Sequence, residues 1–393
     1  MGERTDLRAL AVASGRSGAG RVSTASANEI GELATGRFAR DRTQSEPEPS
    51  IAAQVRRALY DNGPYVLLVG AYVFASALIL PMYGRTIPYT LGETLPTPAI
   101  LTALYLAATF LFAIVIDVFA ARRPPFELDT WRGLWHRRLG TRRIVGALII
   151  ILTLPVLLNA MAGYRLALSD IKPFAYDELF MAWDRILHFG RHPWEWIQPL
   201  VGHPAVTRFI DMGYLTGWIL MMWGCNIWMA VHGREPLRLQ YFLSFAACWI
   251  LLGSLGAVLM SSAGPVYFGR VTGLADPYTP LIEYLNSVDA AAPLVAVEHH
   301  EKLWLRYRTW GGITAMPSMH IAITTVVALV LIRTRAWLAV VAVPLWLFMM
   351  VASVHLGWHY AIDGYASALG AGAIWYGSGR VARWWQERIA HAG

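Results

Sequence analysis

Apolar residues occur along this chain in long runs that are separated by short polar or basic segments. A helix of about 20 apolar residues can cross the hydrocarbon core of a bilayer. Runs of roughly this length lie near residues 65–83, 98–120, 144–163, 206–231, 239–262, 317–333, 336–356 and 361–379. The pattern predicts an all-α fold, a polytopic membrane helix bundle with about eight transmembrane helices.

The segment between the third and fourth runs has a different pattern. Polar and apolar residues recur at helical spacing over residues 177–189, and Trp194 and Trp196 follow. An amphipathic stretch with aromatic neighbours predicts a helix lying in the membrane interface. Asp184 and His188 are four residues apart, a spacing that favours a surface ion pair over a headgroup contact or an incomplete metal site.

Composition supports the membrane assignment and limits the partners. The 393 residues are 56% hydrophobic and 15% charged, whereas soluble domains carry about 25% charged residues. The net charge of +7 comes from arginines that cluster beside apolar runs, so the bilayer, and not nucleic acid, is the predicted partner. Cys225 and Cys248 lie inside apolar runs, where we interpret them as small core residues.

Arginine placement predicts how the bundle is oriented. Seven arginines lie within residues 122–143, and the same alternate side receives Arg234, Arg238, Arg333 and Arg335. The opposite loop, residues 263–316, is nearly balanced in charge. By the positive-inside rule both termini are predicted to be cytoplasmic. The arginine-over-lysine bias and the alanine-rich composition are typical of a bacterium of high genomic GC content, which predicts a plasma (inner) membrane.

Two histidine motifs begin apolar runs on the predicted outer face. In the first, Pro317 and Ser318 precede His320. A proline at the first helical position, free amides behind it and the Ser318 hydroxyl would form a cradle for a phosphate oxygen. His320 would lie close enough to give a proton to an oxygen leaving the same phosphate.

The second motif contains His359 and, four residues later, Asp363. A carboxylate on one ring nitrogen fixes the tautomer and leaves the lone pair of the other nitrogen exposed. Such a histidine can attack phosphorus and form a phosphohistidine, and the scheme requires no metal and no cofactor. A carboxylate at the start of a membrane helix is also costly unless it has a partner or a function.

Pro317-Ser318-Met319-His320 followed by Gly357-Trp358-His359-Tyr360-Ala361-Ile362-Asp363 resembles the second and third motifs of the type 2 phosphatidic acid phosphatase superfamily. The resemblance implies that His359 is the nucleophile, His320 the general acid and Asp363 the orienting group. It covers residues 205–380, which we expect to form a six-helix lipid-phosphatase-like core. The remaining predicted regions are a disordered cytoplasmic tail (1–55), accessory transmembrane helices (56–163), an extracytoplasmic interfacial segment (164–204) and a second cytoplasmic tail (381–393).

The chain departs from the pattern of that superfamily at the basic positions. The first motif normally contains a lysine and an arginine, and Ala257 and Gly264 occupy those places here. Ser353 stands where the third motif normally has an arginine, and Met319 replaces a glycine. These changes are similar to the inositol phosphorylceramide synthase branch, in which a bulky residue precedes the second-motif histidine. The candidate replacement cations, alongside Ser318 as a phosphate ligand, are Arg270, Lys302, Arg306 and Arg308 of the outer loop.

The resemblance implies a place in lipid metabolism. The leading hypothesis is a lipid phosphotransferase that moves a phosphorylated headgroup from a phospholipid donor to an alcohol or lipid acceptor. With water as the acceptor, the same residues would make a lipid phosphate phosphatase. A transporter or non-catalytic scaffold is the alternative of another class, favoured by the missing first-motif cations and opposed by the three intact proton-transfer residues.

Overall fold

The computed structural model describes residues 50–88, 140–310 and 312–392, with backbone alone for residues 306–310 and 392. The predicted tail and the predicted span at 98–120 lie outside the described residues. The regular structure of the described residues is helical throughout, without a strand, so the all-α prediction is confirmed.

Twelve helices, numbered α1 to α12 in chain order, define the described part of the chain. They are α1 (Ile51–Ile79), α2 (Thr141–Ile171), α3 (Asp177–Leu187), α4 (Pro193–Val201), α5 (Pro204–His232), α6 (Leu237–Leu259), α7 (Phe268–Thr272), α8 (Thr279–Ala291), α9 (Val295–Trp310), α10 (Met319–Thr334), α11 (Ala339–His355) and α12 (Ala361–Ala392).

The length and composition of these helices confirm a membrane bundle. Within the described residues, α1, α2, α5, α6 and α11, with the short 3-10 turns adjoining α1 and α11, are long and apolar enough to cross a bilayer. The apolar helix α10 is shorter, with 16 residues, and α12 is longer, with 32 residues. Large apolar side chains such as Leu67, Val340 and Leu369 are strongly exposed, as expected where a helix surface faces lipid.

Most of the described helices pack around a large apolar core, and two smaller apolar clusters lie beside it. Helix α10 lies against both α11 and α12, and α6 also packs along α12. Helix α1 packs along α2, and α2 in turn contacts α5. Tyr241, Phe242 and Phe245 of α6 are almost completely buried in this core.

A buried arginine joins the first two helices to the rest of the bundle. Arg238 of α6 donates hydrogen bonds to Asn62 Oδ1 of α1 and to the carbonyl of Gly146 in α2, both at 2.8 Å. It also pairs with Glu235 at 3.2 Å. In the sequence, Arg238 served only to predict the orientation of the helices in the membrane. Its side chain is buried in the structure, so it also has a structural role.

The helix that precedes the predicted interfacial segment ends later than predicted. Helix α2 continues to Ile171, beyond the predicted end of the third span near residue 163, and α3 then begins at Asp177. Since α2 is longer by about two turns, residues 164–171 belong to a long helix and not to the connecting segment.

Candidate active site

The fold brings the two histidine motifs together. His320 lies in the first turn of α10, and His359 lies in the short connection between α11 and α12. The centroids of the two imidazole rings are 6.3 Å apart. Two rings this close can both contact one phosphoryl group held beside them.

Both histidines line a cavity of about 310 Å³. Its wall also includes Met161 and Arg165 of α2, Trp249 of α6 and His299 of α9. Two π-helical segments, Gly213–Gly217 in α5 and Cys248–Gly256 in α6, contribute to this wall through Tyr214, Leu215, Trp249 and Gly253. Such irregular turns often occur at functional sites, because they re-aim side chains that a regular helix would point elsewhere.

Asp363 orients the ring of His359. The Nδ1–H of His359 donates to Asp363 Oδ2 at 3.2 Å, and the amide of Tyr360 donates to the same oxygen at 3.1 Å. Asp363 is completely buried. Because the carboxylate holds Nδ1, Nε2 is the ring nitrogen of His359 whose lone pair remains available.

Aromatic rings hold His320 in place. Its ring stacks on Tyr214 with centroids 4.5 Å apart, and it lies 4.4 Å from the ring of Trp218. Its Nε2 is buried and has no hydrogen-bond partner among the described residues. A buried imidazole nitrogen without a partner is costly unless a ligand or water completes it, which is a feature of functional sites.

Ser318 is the N-cap residue of α10, and Pro317 therefore precedes the helix. The prediction that Pro317 occupies the first helical position is wrong, since the helix begins at Met319. The Ser318 hydroxyl is buried and makes no hydrogen bond to the described residues. Pro317 and Met319 line the cavity, whereas Ser318 is not part of its wall.

Asp184 of α3 caps the helix that carries Asp363. Its two carboxylate oxygens accept hydrogen bonds from the amides of Ala361 and Ile362, at 2.8 and 2.9 Å. The predicted surface ion pair with His188 is wrong, because Asp184 is buried and the His188 Nδ1–H donates to the backbone carbonyl of Asp184. Burial raises the pKa of Asp184 to about 7, although the two amide bonds act in the opposite direction.

Asp177, at the start of α3, holds the loop that follows α6. It accepts hydrogen bonds from the amides of Ala263 and Gly264 and from the Tyr360 hydroxyl. Burial raises the pKa of Asp177 as well. Asp177 and Asp184 thus tie α3 to the loop after α6 and to the start of α12, a role that the sequence pattern did not indicate.

Gly264, which stands in the place of the first-motif arginine, has a backbone that excludes a side chain. Its φ is +99°, and a Cβ added there would lie 2.7 Å from the carbonyl oxygen of Trp358. Trp358 directly precedes His359, so this close approach packs the loop after α6 against the histidine connection. An arginine side chain at position 264 is therefore incompatible with this packing of the two segments.

Two of the four predicted outer-loop cations, Arg270 and Lys302, are not part of the cavity wall. Arg270 pairs with Glu301 at 2.6 Å, lies over the ring of Trp304 and is not part of the cavity wall. Lys302 pairs with Glu298 on the surface of α9. Arg306 and Arg308 lie on α9, but their side chains are outside the described part of the chain.

Sequence reasoning missed two basic residues of the cavity wall, Arg165 and His299. Arg165 had been placed beyond the third span, and only the extension of α2 to Ile171 brings it to the site. His299 reaches the wall from α9, whose first amides are capped by Asp211 at 2.7 and 2.8 Å. An arginine at the end of an apolar run was the one available signal, and it is ambiguous because such residues usually face headgroups.

A helical membrane bundle with a buried histidine–carboxylate pair facing a second histidine defines a class of membrane proteins equipped for phosphoryl chemistry. A sequence model of the PAP2 superfamily matches residues 178–377, just over half of the chain. The chain belongs to the PAP2 superfamily, as its histidine motifs predicted. Comparison with curated proteins and with solved structures finds no match.

Membership supports a lipid phosphatase or phosphotransferase function in general. The matched region begins at residue 178 and so includes α3, whereas the resemblance in the sequence was placed at 205–380. Helices α1 and α2 precede the match.

Proposed function

We propose that this protein is a membrane lipid phosphotransferase that acts through a phosphohistidine on His359. The observation that carries the proposal is the bond between His359 and Asp363 at the wall of a cavity that His320 also lines. This arrangement provides a nucleophile, an orienting carboxylate and a proton-transfer group around one space.

The reaction is a double displacement at phosphorus. In the first step, Nε2 of His359 attacks the phosphorus of a phosphodiester lipid, and the bond from phosphorus to the departing lipid alcohol breaks. His320, carrying a proton, donates it to that alcohol oxygen. In the second step, His320 takes the proton of an acceptor alcohol, whose oxygen attacks phosphorus while the phosphorus–nitrogen bond breaks.

The charge of the cavity supports a phosphodiester as the donor. Ala257, Gly264 and Ser353 stand where the superfamily pattern has three basic residues. A phosphodiester carries one negative charge where a monoester carries close to two, so fewer cations are needed to bind it. Transfer of a phosphorylated headgroup, as in the inositol phosphorylceramide synthase branch, fits this balance better than hydrolysis of a monoester.

The same residues would make a lipid phosphatase if water were the acceptor, and superfamily membership supports this second candidate. A non-catalytic scaffold or transporter is less consistent with His320, His359 and Asp363 all being present at one cavity. The proposed location is the plasma (inner) membrane with both termini cytoplasmic and the site on the extracytoplasmic face. This orientation is supported by Arg234, Arg333 and Arg335, which lie at the helix ends opposite the two histidines.

Lipid analysis tests the proposal. Native membranes are incubated with the wild-type protein, with His359→Ala, or with His391→Ala, which removes an exposed histidine near the end of α12. Inositol-, glycerol- and ceramide-type alcohols are supplied, and the lipids are examined by mass spectrometry. We expect a new headgroup-bearing lipid with the wild type and with His391→Ala, and a loss of at least about 10³-fold with His359→Ala.

Other outcomes of the same experiment lead to different conclusions. Release of free phosphate or of a phosphorylated headgroup, without a new lipid, would identify a hydrolase. Identical lipid profiles for all three proteins would overturn the catalytic assignment and favour the scaffold.

A further inference from the structure

We propose that Arg165 of α2 binds the anionic phosphodiester group in the cavity and replaces the phosphate-binding cations that the motifs lack. The inference rests on the proposed function for the chemistry of the substrate. Its physical basis is the composition of the cavity wall, and binding can be measured without turnover.

Arg165 is the one lysine or arginine among the described residues that line the cavity. Arg165 is exposed as a residue and also lines the cavity, so an anion that enters can approach its side chain. A guanidinium presents N–H groups in a planar fork that matches phosphate oxygens. Arg165 thus combines the charge, geometry and access that phosphate binding requires.

A hydrogen bond fixes the position of Arg165. Its Nε donates to the carbonyl of Gly312 at 2.6 Å. Gly312 begins the segment that leads through Thr314 to Ser318 and α10. The bond therefore connects the guanidinium to the same backbone segment that positions His320.

Two other polar groups in the same wall lack hydrogen-bond partners among the described residues. The hydroxyl of Thr314 and Nε2 of His320 are buried and have no hydrogen-bond partner among the described residues. Buried polar atoms of this kind are normally completed by a ligand or water. A phosphate oxygen between these groups and Arg165 would accept hydrogen bonds from all three, which is why we place the anion there.

The position of Gly264 explains why the cation comes from another helix. An arginine at that position would require a Cβ 2.7 Å from the Trp358 carbonyl oxygen. The superfamily match begins at residue 178, so Arg165 lies outside it. Substrate recognition in this chain would thus depend on a helix that precedes the matched core.

Ligand binding by purified protein in detergent tests the inference. The probe is dihexanoylphosphatidylglycerol, a short-chain phosphodiester lipid, and the readout is the rise in melting temperature as a function of lipid concentration. We expect Arg165→Gln to weaken binding about ten- to a hundredfold, as loss of a charge-assisted contact predicts. Arg165→Lys, which keeps the charge but not the planar fork, should retain part of the affinity.

Arg185→Gln is the matched control, because Arg185 is an exposed arginine of α3 whose Nε also donates to a backbone carbonyl, that of Gly190. It should bind the lipid as the wild type does. Binding by Arg165→Gln with wild-type affinity, or no saturable binding by the wild type, would overturn the inference. Retained binding by His359→Ala, combined with no product from the wild type, would instead reject the proposed function and leave the anion site in place.

A second measurement keeps the test valid if the Arg165 variants do not fold. Wild-type protein is treated with phenylglyoxal, which modifies accessible arginines, and the peptide containing Arg165 is quantified by mass spectrometry. We expect the phosphodiester lipid to protect Arg165 and to leave Arg185 unprotected. Equal modification of Arg165 with and without the lipid would contradict the assignment.

Discussion

Gly264 shows how a single position can exclude the residue that a family pattern would place there. Its positive φ and the 2.7 Å approach to the Trp358 carbonyl leave no space for a Cβ. Because Trp358 adjoins His359, a shift of either loop would also move the nucleophile. Introducing the motif arginine at this position would therefore damage the site and could not restore it.

We predict that Gly264→Ala lowers the stability of the protein by about 1–3 kcal/mol, the usual cost of a strained backbone conformation, with additional cost from the contact. The melting temperature in detergent measures the effect. Gly224→Ala is the control, since Gly224 lies within α5 and a Cβ there would meet nothing within 4 Å. Equal melting temperatures for the two variants would show that the loop adjusts without strain.

Among the elements, α3 has a structural role that the interfacial position predicted for it did not suggest. Asp184 and Asp177 project from one short amphipathic helix. Asp184 accepts hydrogen bonds from the first backbone amides of α12, and Asp177 accepts one from an amide of the loop after α6. Carboxylates bound to helix-terminal amides are stabilised in their charged form. Burial opposes this effect, and for Asp184 burial is the larger influence, since the pKa is raised to about 7.

The raised pKa of Asp184 predicts a pH-dependent stability. Between about pH 4 and pH 7 the folded protein holds a proton on Asp184 that the unfolded chain releases, so stability decreases as the pH rises through this window. Asp184→Asn carries no charge at any pH and should lack this component. We expect the melting temperature of the wild type to fall more than that of Asp184→Asn between pH 5 and pH 8.

Other groups, including Asp177, titrate in both proteins, so their contributions to the pH dependence of stability cancel in that comparison. Equal pH slopes would mean that the pKa of Asp184 is ordinary. A wild type that gains stability relative to the variant as the pH rises would mean that the capping bonds outweigh burial.

At the scale of the whole molecule, helices α1 and α2, which precede the matched region, are joined to the rest of the bundle and to the cavity. Arg238 joins α6 to α1 and α2 through Asn62 and Gly146. Helix α2 also supplies Met161 and Arg165 to the cavity wall. The packing of α1 and α2 therefore affects both stability and the shape of the site.

We predict that Arg238→Ala destabilises the protein by about 3–5 kcal/mol, because it leaves buried hydrogen-bond partners and Glu235 unpaired. Arg335→Ala is the control. It removes an arginine that counts equally in the positive-inside rule but is exposed in the structure. In detergent, Arg238→Ala should unfold at a lower temperature than Arg335→Ala. A similar small decrease for both variants would mean that Arg238 does not stabilise the fold.

Much of the fold and part of the site followed from the sequence. Long apolar runs predict membrane helices directly, since the bilayer requires about 20 apolar residues and internally satisfied backbone bonds. The four-residue spacing of His359 and Asp363 predicted their contact, because that distance is set locally. The pairing of His320 with His359 followed from motif resemblance, and the structure supplies its 6.3 Å separation.

The remaining features depended on contacts between residues far apart in the chain. Asp184 and His188 had the spacing of an ion pair, but packing of α3 against α12 buried Asp184 and provided it with backbone amides. Arg165 and Arg270 are both arginines near membrane helices, and only the tertiary structure places the first at the cavity and pairs the second with Glu301. Local sequence thus determined which segments are helices and which side chains can perform chemistry. The tertiary structure decided which charges meet the substrate, because burial and distance depend on how the helices pack.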